Sequence, residues 1–153
     1  FEPVKGRSRA LAIPVAGRLR TLVDDTYNAN PDSVRAAIDV LAELPGPRLL
    51  VLGDMGEVGN QGPEFHAEVG AYAAEKGIEA LFTLGELSLH AHRAFGAQKG
   101  QHFADMAAMQ AAVSVVWRSV SSILVKGSRF MKMERVVQTL QEQDIQKGEV
   151  HAA

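Results

Sequence analysis

Apolar positions along the chain fall into two kinds of run: short continuous stretches and longer stripes at helical spacing, in alternation. Residues 10–13 and 19–23 are β-prone runs flanking Ala16-Gly17-Arg18, a pattern that predicts an antiparallel hairpin leading into the first main strand. From Pro31, Val34, Ala37, Ile38, Leu41 and Leu44 recur with a helical period until Pro45-Gly46-Pro47 stops it. Residues 49–52 form an unbroken apolar run, as in a strand covered on both faces. Phe65, Val69, Tyr72 and Ala73 make the next helical stripe, ended by Gly77. Residues 80–84 read as a strand closing at Gly85, residues 87–95 as a helix, and His102-Phe103 as a short strand. Asp105 caps a helix whose stripe is Met106, Met109, Val113, Val116 and Trp117. Residues 123–125 are the last strand, and Met133, Val136, Val137 and Leu140 line the last helix, beyond which a polar tail is expected to fray.

Strand and helix thus alternate about five times, which predicts an α/β architecture with a mostly parallel sheet and helices on both faces. In such a sheet the loops after Val23, Leu52, Leu84 and Val125 open on one edge, so Asp25, Asp54, Gly85 and Lys126 can converge.

Composition narrows the picture. The chain has 153 residues, enough for one domain with a real core, and 46% hydrophobic against 22% charged residues is the balance of a globular protein. No apolar run nears the ~20 residues of a bilayer crossing, and no basic-then-apolar leader is present, so a cytoplasmic protein without a membrane partner is expected. The absence of cysteine removes disulfides and thiolate metal sites, and a net charge of −2 gives no attraction to nucleic acid. Phe1-Glu2-Pro3 carries no initiator Met, as expected of a piece of a longer chain.

The chemistry gathers at two junctions. In Asp24-Asp25-Thr26-Tyr27-Asn28-Ala29-Asn30-Pro31, Asn30 can cap the following helix and Pro31 suits its first position. Two adjacent acids exceed that need. One reading is a turn in which an Asp bonds nearby N–H groups, and the other is a carboxylate taking ribose hydroxyls or supporting Mg²⁺. Lys126-Gly127-Ser128-Arg129 puts two cations and a hydroxyl before a helix, where an anion would be received; a bland strand-Gly-helix turn is the alternative. The glycine-rich stretch from Gly53 to Gly62 matches neither a Gly-x-x-x-x-Gly-Lys-Ser/Thr nor a Gly-x-Gly-x-x-Gly cradle. No histidine pair has zinc spacing, since His90 and His92 point to different helix faces, and His66 reads as a core-edge or surface residue.

Three blocks carry a resemblance: Asp24 through Ser33, Val51-Leu52-Gly53-Asp54-Met55-Gly56-Glu57-Val58-Gly59, and Val125-Lys126-Gly127-Ser128-Arg129-Phe130-Met131-Lys132-Met133-Glu134. Together, with Pro3-Val4-Lys5-Gly6-Arg7 ahead of them, they resemble the C-terminal domain of the Mur ligase family, in its D-alanyl-D-alanine-adding branch. The resemblance implies a Rossmann-like three-layer sandwich of about six strands with an N-terminal β-hairpin, bounded as a lead-in at 1–9, the domain at 10–145 and a tail at 146–153. It implies a three-domain enzyme of peptidoglycan synthesis, whose N-terminal domain holds a UDP-sugar and whose central domain carries the phosphate loop and most Mg²⁺ ligands. ATP phosphorylates the carboxylate of UDP-N-acetylmuramoyl-tripeptide, and the amine of D-alanyl-D-alanine attacks the acyl phosphate to give an amide. Lacking the phosphate loop, this chain would be the last third of such an enzyme and inactive without the N-terminal and central domains.

By position, Arg7 resembles the hinge arginine that reaches the nucleotide phosphates, and Asp25 the carboxylate on the ATP ribose. Asn28 and Asn30 face the nucleotide or the dipeptide in this resemblance, Asn30 alternatively serving only as a cap. Lys126, Ser128 and Arg129 line the acceptor pocket, with a cation for the dipeptide carboxylate, and Asp54 and Glu57 complete it around the ammonium. Phe130 and Gly56 depart from the residues expected at their places. Two rival readings are a receiver-like signalling domain phosphorylated at Asp54, with Asp24, Asp25 and Lys126 around it, and a non-catalytic ligand-binding module.

Overall fold

The computed structural model describes residues 8–152, with side chains as far as Gln143. Arg7 and the turn expected around it lie outside the described residues, as do the side chains of the expected tail. The elements follow in the order β1 (Arg9–Val15), β2 (Arg18–Asp25), α1 (Pro31–Ala42), β3 (Arg48–Gly53), α2 (Gly62–Glu75), β4 (Ala80–Leu84), α3 (Ser88–Phe95), β5 (Gly100–Phe103), α4 (Met106–Val116), β6 (Ser122–Lys126) and α5 (Glu134–Ala152). Short 3₁₀ turns lie at Gly59–Gln61 and Arg129–Met131.

Local chemistry accounts for the helix starts. At α1 the Asn30 side chain accepts from the Ser33 N–H at 2.8 Å while the Ser33 hydroxyl accepts from the Asn30 N–H at 3.0 Å, a reciprocal cap ahead of Pro31. At α4 the Asp105 carboxylate accepts from the Ala108 N–H at 2.8 Å. The stripe of α2 differs from the sequence expectation: Gly62, His66, Val69, Gly70 and Ala73 are its buried positions, and Phe65 and Tyr72 flank them, half-buried. Gly70 makes this packing close, because a Cβ there would fall 2.1 Å from the Ala91 carbonyl oxygen of α3.

The six strands form one sheet in the order β1-β2-β6-β3-β4-β5. β1 runs antiparallel to β2, and every other neighbour is parallel. The hairpin is therefore part of the sheet, with β2 itself serving as the first parallel strand. Alternate residues divide two cores. Leu49, Val51, Ile123 and Val125 pack with Met109 and Val113 of α4, Trp117 just after it, Met133 just before α5, and Val136 and Leu140 of α5. Leu50, Leu52 and Leu124 pack on the opposite face with Val34, Ile38 and Leu41 of α1, Val69 and Ala73 of α2, and Ala91 of α3. Each buried aliphatic side chain contributes about 1.5–3 kcal/mol of transfer free energy, and the period of two puts both faces of β3 and β6 to use.

β6 is the last strand in the chain, yet it lies between β2 and β3. The helix after it, α5, packs on the face opposite to α1 and α2, which follow its two neighbours. Chain paths diverge above and below the sheet there, which opens a crevice outside the carboxyl end of β6.

Candidate functional site

Asp25 ends β2 and Lys126 ends β6, and the two are register partners on adjacent parallel strands. The Lys126 Nζ lies 3.0 Å from Asp25 Oδ2 and donates to the Asn28 carbonyl oxygen at 2.9 Å. The lysine side chain is 3% exposed and the aspartate 17%, so the cation is an internal tie while the carboxylate keeps an open side. That placement departs from the expectation of Lys126 as an open carboxylate receptor: its ammonium is committed to the Asp24–Asn30 turn. The other Asp25 oxygen accepts from the Ser8 N–H at 3.2 Å. Asp24, one residue earlier, points to the other sheet face as the strand period requires, where it takes the Thr26 hydroxyl at 2.6 Å and lies 3.6 Å from Arg9. The adjacent acids thus avoid mutual repulsion by facing apart.

Asp54, at the end of β3, is also committed. Its two carboxylate oxygens accept from the Leu87 and Ser88 N–H groups at 3.2 and 2.7 Å. Helix α3 has no side-chain cap of its own at Leu87, and Asp54 supplies one from another strand. Gly85 has φ +114° and a Cβ there would fall 2.3 Å from Asp54 Oδ1, so the chain at the end of β4 leaves room for nothing larger. A buried, doubly bonded carboxylate is no open phosphoacceptor, and with this goes the receiver-domain reading. Its proposed contact with a dipeptide ammonium also gives way to the capping task.

Glu57 stays exposed, in a left-handed conformation with φ 56°. With Gly56, Val58, Phe65, Arg35 and the Asn28–Asn30 turn it borders a cleft of about 470 Å³. Asn28 is exposed and its side chain accepts from the Ala29 N–H at 2.9 Å. Asn30 lines the cleft with its side-chain oxygen already given to the helix cap.

On the other side of the crevice, Ser128 donates its N–H to the Asp54 carbonyl at 3.0 Å, and its hydroxyl is buried without a hydrogen-bond partner among the described residues. A Cβ on Gly56 would meet the Ser128 Cβ at 3.4 Å and the Phe130 ring at 3.6 Å, so these three residues lie together. Phe130 is 66% exposed. Arg129 is exposed, with its guanidinium 4.9 Å above the Tyr27 ring and 3.3 Å from the Tyr27 hydroxyl. Gly127 permits the whole approach: a Cβ there would fall 2.6 Å from Met133 and 3.2 Å from the Gly53 Cα. One rim therefore gathers Asp25, Asn28, Lys126, Ser128 and Arg129, and Asn30 and Glu57 border its adjoining cleft.

The structure corrects the reading of His66 as a core-edge or surface residue. It is fully buried on α2, with Nε2 2.9 Å from the Met55 nitrogen and Nδ1 2.6 Å from the Gly62 carbonyl oxygen. Burial holds its pKa below the ordinary histidine value, against the opposing pull of the Gly62 carbonyl and Asp54 and with a small addition from His90. Its place four residues after Gly62, one helical turn on, is the signal that was available.

Comparison with known proteins places these observations. A family model for the Mur ligase, glutamate ligase domain matches residues 13–129. UDP-N-acetylmuramoyl-tripeptide--D-alanyl-D-alanine ligase of Escherichia coli is 45% identical over 123 residues, covering 79% of this chain and 27% of the relative. The enzyme of that name from Haemophilus influenzae is 38% identical over 145 residues, 91% of this chain and 30% of the relative. Among solved structures, MurF from Acinetobacter baumannii superposes with a TM-score of 0.79 at 32% identity, over 92% of this chain and 31% of that one. MurF ligase from Thermotoga maritima, solved in complex with ADP, shares the fold with a TM-score of 0.75 at 24% identity, over 96% of this chain and 33% of that one. The chain spans less than a third of the length of the curated relatives named here.

Proposed function

The chain belongs to the Mur ligase family, and from that premise we propose that it is the closing domain of an ATP-dependent ligase adding D-alanyl-D-alanine to UDP-N-acetylmuramoyl-tripeptide. In this reading the tripeptide carboxylate takes the γ-phosphoryl group of ATP, releasing ADP. The free amine of the dipeptide then attacks the acyl carbon, phosphate leaves and the nitrogen loses a proton. N-terminal and central domains of the same protein hold the UDP-sugar and the ATP phosphates, Arg7 at the junction reaching the latter. Both nucleotide substrates belong to the cytoplasm, and among the described residues no helix is long and apolar enough to cross a membrane.

The observation that carries the reading is the Asp25–Lys126 pair at the switch point of the sheet. Lys126 fixes the aspartate's orientation from one side and leaves its open side to accept the two ribose hydroxyls. Asn28 borders the same turn. Arg129, the exposed cation of the rim, takes over the carboxylate of the acceptor dipeptide from Lys126, and Glu57 faces its ammonium across the cleft; Ser128 holds the loop between them. Domain closure would then exclude water from the acyl phosphate and hold the amine in line. In this reading Mg²⁺ is held mainly by the central domain.

In the full-length enzyme, Asp25→Asn is expected to raise KM for ATP by roughly 10–100-fold, the worth of a charge-assisted hydrogen bond, and to leave KM for D-alanyl-D-alanine within about twofold. The check is ADP release with both acceptor substrates present. An enzyme that releases no ADP with UDP-N-acetylmuramoyl-tripeptide and D-alanyl-D-alanine overturns the assignment.

A further inference from the structure

The segment between β3 and α2 is poorly suited to hold a shape by itself. Gly56 and Gly59 loosen it, Glu57 and Gly59 both sit at left-handed φ values of 56° and 60°, and only a short 3₁₀ turn interrupts it. Ordering such a chain costs about 1–2 kcal/mol per residue in backbone entropy, so what pins it matters.

His66 pins both of its ends. An amide N–H can only donate, so the ring nitrogen facing Met55, Nε2, is the bare one. A carbonyl can only accept, so Nδ1 carries the proton towards Gly62. A single neutral tautomer therefore bridges residue 55 to residue 62, and everything between them, including Glu57, hangs from that clasp. We infer that His66 is a positioning residue for acceptor binding, holding Gly56, Glu57 and Val58 as the wall of the cleft opposite Asn28 and Asn30 through its neutral Nδ1–H form. The inference rests on the reading above in its claim that this rim receives the dipeptide.

The clasp has a built-in proton sensitivity. A protonated ring would turn an N–H donor against the Met55 N–H, and the two would repel. Burial opposes that charge; Asp54 at the end of β3 favours it and His90 on α3 disfavours it, leaving the folded pKa below the ordinary 6.5. The sign follows: the clasp is intact above the unfolded-state value, and its contribution is lost as pH falls from about 6.5 through the lower folded value.

The test uses the full-length enzyme with His66→Gln and His66→Phe. The glutamine oxygen reaches the place of Nε2 and can accept from Met55, but it does not titrate; phenylalanine fills the space and accepts nothing. As pH falls from 7.5 through the titration of the ring in the folded enzyme, KM for D-alanyl-D-alanine is expected to rise more in the wild type than in His66→Gln, by less than about tenfold at pH 5.5 because the folded pKa lies below 6.5, with kcat changing less; titration of the dipeptide amine is common to both. In His66→Phe the Met55 amide is expected to exchange with solvent at least about tenfold faster, and KM for the dipeptide to rise about tenfold at every pH. Identical acid limbs in wild type and His66→Gln across the pH range in which the nitrogen resonances show the wild-type ring to protonate, or a wild-type ring whose nitrogen resonances place the proton on Nε2, overturn the inference. Should His66→Phe fail to fold, the glutamine variant and the ring tautomer decide. An enzyme inactive towards the dipeptide would sink the functional reading, while exchange at Met55 and the tautomer would still judge the clasp.

Discussion

Two cations on one four-residue loop are expected to behave in opposite ways. Lys126→Ala would leave Asp25 facing an empty, largely buried position and strip the Asn28 carbonyl of its donor, lowering stability in urea unfolding by about 2–4 kcal/mol. Arg129→Ala, on an exposed side chain stacked over Tyr27, should change stability by less than about 1 kcal/mol, yet raise KM for the dipeptide about tenfold in the full-length enzyme. At this scale the sequence marks which residues meet better than what holds each of them. Asp25 and the Lys126-Gly127-Ser128-Arg129 loop stand out because a strand ends in each, and strand ends share an edge. That Lys126 is buried and paired while Arg129 stays exposed is not legible, because both carry a positive charge and only burial separates them. Asp24 and Asp25 look like a pair in the sequence and are placed on opposite faces by the strand's period of two. His66 leaves hardly any trace, since a lone histidine in an amphipathic stripe is indistinguishable from packing until its two ring nitrogens find partners.

Among the elements, α3 depends most on others. Its first turn is capped by Asp54, a residue of the β3 end, and its flank lies against the bare backbone of Gly70. Asp54→Ala should therefore destabilise the fold by about 1–2 kcal/mol through an uncapped helix N-terminus. Gly70→Ala should cost about 3 kcal/mol or more, because backbone rather than a flexible side chain stands in the way. Thermal unfolding of the two variants checks both, and their order is part of the expectation. Helix and strand positions are readily read from the sequence where apolar spacing is strong, as in α1, β4 and β6, and where caps such as Asn30 and Asp105 announce a start. The turn of α2 that faces inward was less clear, for Phe65 and Tyr72 are the larger apolar residues and yet yield the centre to His66 and Gly70. Size could not foretell that preference: a tight crossing with α3 selects for small side chains.

For the molecule as a whole, the alternation of elements implies a parallel sheet, and the convergence of distant loops follows from parallel direction alone. Strand order does not follow, since nothing in local spacing says which slot a strand will take. That order has a temporal meaning. The central slot of the sheet is filled by the strand made last, so β2 and β3 have no neighbour in common until Ser122–Lys126 has been synthesised. A chain ending at Arg118 is expected to lack a cooperative unfolding transition and to show broad, collapsed amide spectra, whereas the chain to Gln143 gives a single sharp transition. On the ribosome, five of the six strands would wait as an unclosed sheet, with apolar edges exposed, and the same late strand that completes it delivers Lys126 to Asp25. Assembly of the fold and assembly of this rim would then be one event, with no stage at which a finished scaffold lacks it.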